Sequence, residues 1–270
     1  MTTIHDLSAA ELVEAYRARK LSPVEATTAA LARIDACDRQ VNAMYLVHAD
    51  QALTSARAAE ARYRSGAPLS ALDGVPITLK DNIVTAGTPT PLGTAAADTS
   101  VPATVDAPPA ARVREAGCVI LGKTTMPDFG MLASGASSFH GVTRNPWDTT
   151  RNTAGSSSGA GAAVAAGMAP LALGTDIGGS VRLPAAYCGI FALKPSLGRV
   201  PIDPPFLGRV TGPMTRTVQD GALLLEVLSR ADARDYMSLP AEQVPFADRL
   251  DRDLKGVKIG LCLLYTSRCV

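Results

Sequence analysis

The chain has 270 residues, 47% of them hydrophobic and 19% charged, with a formal net charge of +1. That length allows a substantial buried core, and the near-neutral balance gives no electrostatic basis for binding nucleic acid or an anionic membrane. Cys37, Cys118, Cys188, Cys262 and Cys269 form no CxxC pair and no metal-ligand spacing with His5, His48 or His140, so the sequence predicts no metal site, reduced thiols and a cytoplasmic location.

The chain opens without a charged-then-apolar leader, and Ser8 with Glu11 makes a capping-box pattern ahead of a first helix. Ser22, Pro23 and Glu25 start a second helix running to about Cys37. A third, rich in Ala and Arg, spans about Asp50 to Arg64 and meets Gly66 as its stop. From Val75 onward strands and helices alternate. Val75–Lys80 reads as a strand, Ala107–Ala116 as a helix ended by Gly117, and Cys118–Leu121 as a strand. Gly159–Met168 reads as a short buried helix whose small residues let its backbone approach a sheet. Phe191–Lys194 reads as a strand, and Thr217–Leu228 as a helix with Asp220 in its first turn. This alternation predicts an α/β domain with a largely buried sheet. The most apolar tract, 160–173, is interrupted by Gly161, Gly167 and Pro170 and is too short to cross a bilayer.

Three segments carry candidate chemistry. Gly174-Thr175-Asp176-Ile177-Gly178-Gly179-Ser180 ends a tight glycine turn on a serine, so successive backbone N–H groups beside a hydroxyl can serve a nucleophile and its oxyanion. Ala154-Gly155-Ser156-Ser157-Ser158-Gly159 opens the short helix, where a serine can act chemically or simply cap. Gly74-Val75-Pro76-Ile77-Thr78-Leu79-Lys80-Asp81-Asn82 places a lysine at the end of an apolar strand. Neither GxGxxG after a strand nor GxxxxGK[ST] is present, which argues against a nucleotide cradle.

From about residue 70 to 220 these segments, with Cys188–Pro195 and Gly212–Thr217, resemble the amidase signature family, whose members cleave amides with a Ser–Ser–Lys triad. The resemblance implies a mixed central sheet flanked by helices in a single domain. That domain comprises an N-terminal helical part (1–70), a signature region (71–230) and a truncated end (231–270) that leaves the sheet incomplete. It implies Ser180 as nucleophile, Lys80 as base and Ser156 as proton relay. The oxyanion would be held by the N–H groups of Ile177, Gly178, Gly179 and Ser180, with Ser157, Asp176 and Arg182 as supporting residues. The substrate would be a small-molecule amide, the C–N bond being hydrolysed through an acyl-enzyme without metal or cofactor, in a possible homo-oligomer.

Lys80 can act only when neutral, which burial among Val75, Pro76, Ile77 and Leu79 favours and a nearby Asp81 opposes. A Ser-His-Asp arrangement using His140 is the rival for the base. The family pattern pairs glycines on both sides of two serines, whereas Ala154 and Ser158 stand at two of those positions here. Two other readings compete: the glutamine-hydrolysing subunit of a tRNA-dependent amidotransferase, and an inactive scaffold or binding protein. Leu254–Gly260 reads as the start of another strand, and Leu261–Val270 is unlike family sequence, suggesting a truncated frame with a foreign tail.

Overall fold

The computed structural model describes residues 3–240 and 244–258. Capping fixes the first helices. Ser8 Oγ accepts the N–H of Glu11, whose carboxylate accepts the N–H of Ser8, and α1 (Ala9–Arg17) begins there. Ser22 and Glu25 repeat the exchange, with Pro23 at the first position of α2 (Pro23–Val41). This helix runs past Cys37 to Asn42, whose left-handed φ of 55° ends it; asparagine tolerates that conformation through its short polar side chain. After β1 (Met44–Val47) comes α3 (Ala49–Ser65), closed by Gly66 at φ 72°.

The remaining elements are β2 (Pro76–Lys80), α4 (Pro108–Glu115) and β3 (Val119–Thr124), followed by two short hairpins. These are β4 (Ala136–Ser137) with β5 (Gly141–Val142), and β6 (Arg144–Asn145) with β7 (Asp148–Asn152). Then follow α5 (Ser158–Ala165), β8 (Leu171–Asp176), α6 (Arg182–Cys188), β9 (Phe191–Ala192), β10 (Val210–Thr215) and α7 (Val218–Leu228). The main sheet has the order β1-β3-β2-β8-β10-β9. Its centre, β3-β2-β8, is parallel, and β1, β10 and β9 pair antiparallel, so the sheet is mixed.

Helices cover both faces. On one, Ile77 and Leu79 of β2 and Leu171 and Leu173 of β8 pack with α1, α4 and α7. On the other, Val119 and Leu121 of β3 pack with α2, α3 and α5. Each of these fully buried leucines and isoleucines contributes about 2 kcal/mol through burial. Strand side chains alternate faces, so Thr78 and Lys80 point opposite to Ile77 and Leu79, toward α5. Glycines let α5 come this close: a Cβ on Gly159 would lie 2.3 Å from the carbonyl oxygen of Ala43. This alternation brings the strand-end lysine to the serine cluster at the start of α5.

Three sequence expectations change. The β9 ladder contains two pairs, Ala192 with Met214 and Phe191 with Thr215, and stops short of Lys194, after which Pro195 offers no backbone donor. Strand β1, between α2 and α3, has no counterpart in the sequence reading. Residues 254–258 form a turn, closed by the Val257 N–H on the Leu254 carbonyl at 3.0 Å, instead of a further strand. Residues 259 and 260 of that reading lie outside the described residues, as does the closing Leu261–Val270 segment. No helix among the described residues is long and apolar enough to cross a membrane.

Candidate active site

Lys80 stands at the last position of β2 with no solvent exposure. Its Nζ lies 2.8 Å from Ser156 Oγ and 2.9 Å from Thr175 Oγ1. Burial lowers its pKa to about 7, against the pull of the Asp81 and Asp176 carboxylates and with the help of Arg209. Near neutral pH a large share of the amine is therefore uncharged and can accept a proton from Ser156.

Ser156 is also buried, and it does not cap α5: the N-cap position belongs to Ser157, whose side chain makes no capping bond. Ser157 Oγ instead clips the end of β8, donating to the Thr175 carbonyl and accepting the Thr175 N–H, both at 3.2 Å. The Ser157 N–H donates to the Ser180 carbonyl at 3.0 Å, so the serine cluster and the glycine turn are held side by side. No hydrogen bond joins the hydroxyls of Ser156 and Ser180. Both line one cavity of about 570 Å³ together with Thr175, Asp176, Ile177 and Gly178.

The glycine turn hangs from Asp176. Its buried carboxylate accepts the N–H groups of Gly179 (2.8 Å) and Val181 (3.0 Å) and pairs with Arg182 at 2.9 Å. Burial opposes ionisation there, but Arg182 and the two N–H groups hold the pKa down at about 2. The Gly179 N–H, which the sequence reading assigned to the oxyanion, is thus engaged by Asp176 in this structure. Among the described residues the N–H groups of Ile177, Gly178 and Ser180 have no acceptor, which leaves three donors at the cavity wall. The two glycines also differ. Gly179 sits at φ 126°, whereas a Cβ added to Gly178 would meet nothing within 4 Å.

The histidine rival does not assemble on a serine. His140 Nε2 lies 2.8 Å from Asp81, whose carboxylate also accepts the N–H groups of Leu92 and Gly93. The other ring nitrogen, Nδ1, has no hydrogen-bond partner. The pair secures the loop after β2, and it was not anticipated; only the position of Asp81 beside Lys80 hinted at it. Sequence reasoning also missed Thr175, whose hydroxyl accepts from both Lys80 and Asn82 (3.0 Å) and so orients the amine. It missed Arg209, which lines the same cavity as the serines. Ala154 adopts φ 57° while buried, in backbone space suited to glycine, and Ser158 Oγ reaches the Thr125 carbonyl at 3.4 Å.

The site thus combines a buried lysine bonded to a serine with a second serine on a glycine turn that lines the same cavity. The Amidase family model matches residues 25–266, and the chain belongs to the amidase signature family. The match extends six residues into the closing segment that the sequence reading set apart as unlike the family. Over 266 residues the chain is 44% identical to one of the subunits of glutamyl-tRNA(Gln) amidotransferase from Chromohalobacter salexigens, covering 96% of this chain and 54% of that protein. A bacterial aryl acylamidase of the amidase signature family superposes with a TM-score of 0.86 at 36% identity, covering 92% of this chain and 52% of that one. The peptide amidase of Stenotrophomonas maltophilia gives 0.85 at 34%, covering 91% and 53%. The chain spans about half the length of the curated relatives it matches.

Proposed function

We propose that this chain hydrolyses a carboxylic acid amide through an acyl-enzyme on Ser180. Neutral Lys80 takes the proton of Ser156, Ser156 takes that of Ser180, and Ser180 Oγ attacks the carbonyl carbon. The oxyanion forms against the N–H groups of Ile177, Gly178 and Ser180. The proton then returns through Ser156 to the leaving amine as the C–N bond breaks. Water enters by the same relay and releases the acid. The observation that carries this reading is the 2.8 Å contact between Lys80 Nζ and Ser156 Oγ in a buried setting. The remaining link requires Ser180 Oγ to close on Ser156 when substrate binds, a tightening common between free and substrate-bound sites.

Labelling by a serine-reactive fluorophosphonate tests it. Wild-type protein is labelled, Ser180→Ala is not, and labelling that persists in Ser180→Ala removes the nucleophile assignment. A second reading is favoured by the names of the relatives: glutamine hydrolysis within a tRNA-dependent amidotransferase, alongside partner subunits. Ammonia release from glutamine, and co-purification with further subunits, would mark that case.

A further inference from the structure

Resting on the amidase reading, we propose that Arg209 is a substrate-binding residue and that the cleaved amide carries a carboxylate which pairs with it. Arg209 lines the same cavity as Ser156 and Ser180. Its side chain is half-buried, and its guanidinium lies 5.6 Å from the centre of the Phe206 ring, a stack that fixes the direction of the planar fork. One hydrogen bond is made, from Nη2 to the Pro204 carbonyl at 2.6 Å, out of five available N–H donors.

No carboxylate among the described residues pairs with this guanidinium. Other arginines of the fold are matched: Arg62 with Asp73, Arg112 with Asp232, Arg114 with Asp106, and Arg182 with Asp176. Arg216, which also lacks an acid, donates to the carbonyls of Leu7, Val164 and Ala169. Asp203 borders a neighbouring crevice with Arg209 but forms no ion pair with it. Asp176, the cavity's own acid, is satisfied by Arg182 and the glycine turn. Phe129, Met131, Leu132 and Leu183 add apolar surface to the same cavity. A partly desolvated guanidinium with unused donors is stabilised by an anion, and its fork geometry suits a carboxylate bidentately. The cavity therefore offers two kinds of recognition: N–H donors and a hydroxyl for the amide, and a cation for a carboxylate elsewhere on the same molecule.

Binding to the full chain carrying Ser180→Ala, measured by calorimetry, tests this without relying on turnover. The probes are the monoamides of four-, five- and six-carbon dicarboxylic acids, each set against its diamide as a neutral isostere. At least one monoamide is expected to bind roughly tenfold or more tighter than its diamide, the range of a hydrogen bond to a charged group. Adding Arg209→Gln removes the difference and leaves diamide binding unchanged, and Arg209→Lys retains part of it. Equal affinities, no binding of any probe, or a preference that survives Arg209→Gln overturns the proposal. So does loss of diamide binding in Arg209→Gln, which would make the residue structural. The amidase reading fails separately, if wild-type protein shows no Ser180-dependent fluorophosphonate labelling.

Discussion

Lys80 and Ser156, on a strand and at the entrance to a helix, meet at 2.8 Å with neither accessible to solvent in any significant degree. The contact depends on two local facts. Strand alternation sends Lys80 to the face opposite Ile77 and Leu79, and the glycines and alanines of α5 let that helix lie close to the sheet. An amine held there is desolvated and has hydroxyls as its neighbours, which is the environment in which lysine becomes a base.

Replacing Lys80 by methionine should separate activity from folding. Loss of the base costs about 10² to 10⁴ in turnover, while removal of a buried amine relieves a desolvation penalty. Steady-state hydrolysis and thermal unfolding at pH 7 check both. Wild-type turnover in Lys80→Met would contradict the base assignment.

The pH dependence has a definite sign. In the proposed mechanism Lys80 acts unprotonated, so kcat/KM should rise with pH and level off above about 7. Stability moves in the same direction. Between about 7 and 10.5 the unfolded chain keeps the Lys80 proton that the folded chain has released, so unfolding free energy increases with pH across that window. Lys123, also buried and also lowered by burial to about 7, adds a second such contribution. Melting temperatures across this range, in wild type and Lys80→Met, should show a smaller slope in the variant.

Asp176 should matter more for the turn than for the chemistry itself. Asp176→Ala leaves the buried N–H groups of Gly179 and Val181 without an acceptor, each costing about 1 to 3 kcal/mol. Chemical denaturation should show a loss of about 2 to 6 kcal/mol for the two groups together, with fluorophosphonate labelling of Ser180 slowed as well. Unchanged stability would contradict the anchoring role.

The adjacent glycines should respond differently. A side chain at Gly178 has open space and points at the cavity, so Gly178→Val is expected to melt near wild type yet lose turnover. At Gly179, φ 126° and the Leu183 side chain 3.1 Å from a new Cβ make Gly179→Ala destabilising by about 1 to 2 kcal/mol. Identical effects at both positions would contradict this distinction.

Ala154 invites the opposite change. Its φ of 57° lies in the left-handed region, where alanine is strained and glycine is not. Ala154→Gly should raise stability by about 1 kcal/mol, read as a higher denaturation midpoint.

Much of this arrangement was legible in the sequence because its signals are local. Capping boxes at Ser8 and Ser22, the Gly66 stop and the alternation after Val75 each fix their element through nearby residues. The glycine turn marked Ser180 as a candidate by itself, whereas Lys80 and Ser156 took their roles from the resemblance of their segments to the amidase signature family. What was hidden depends on distant partners. The roles of Thr175, Asp81 with His140, and Arg209 arise from contacts between segments far apart in the chain, such as the 59-residue separation of Asp81 and His140. The engagement of Gly179 was hidden for a different reason: its partner is only three residues away, but the direction of the Asp176 carboxylate is a matter of backbone geometry that glycine leaves open.

The most direct test is the titration of the Lys80 amine itself, followed by nitrogen-detected NMR on protein with labelled lysines. The Lys80→Met spectrum identifies its signal and distinguishes it from Lys123. A midpoint near 7 is the expected result, whereas an amine that stays charged until pH 10 or above would contradict the account of how Ser180 is activated.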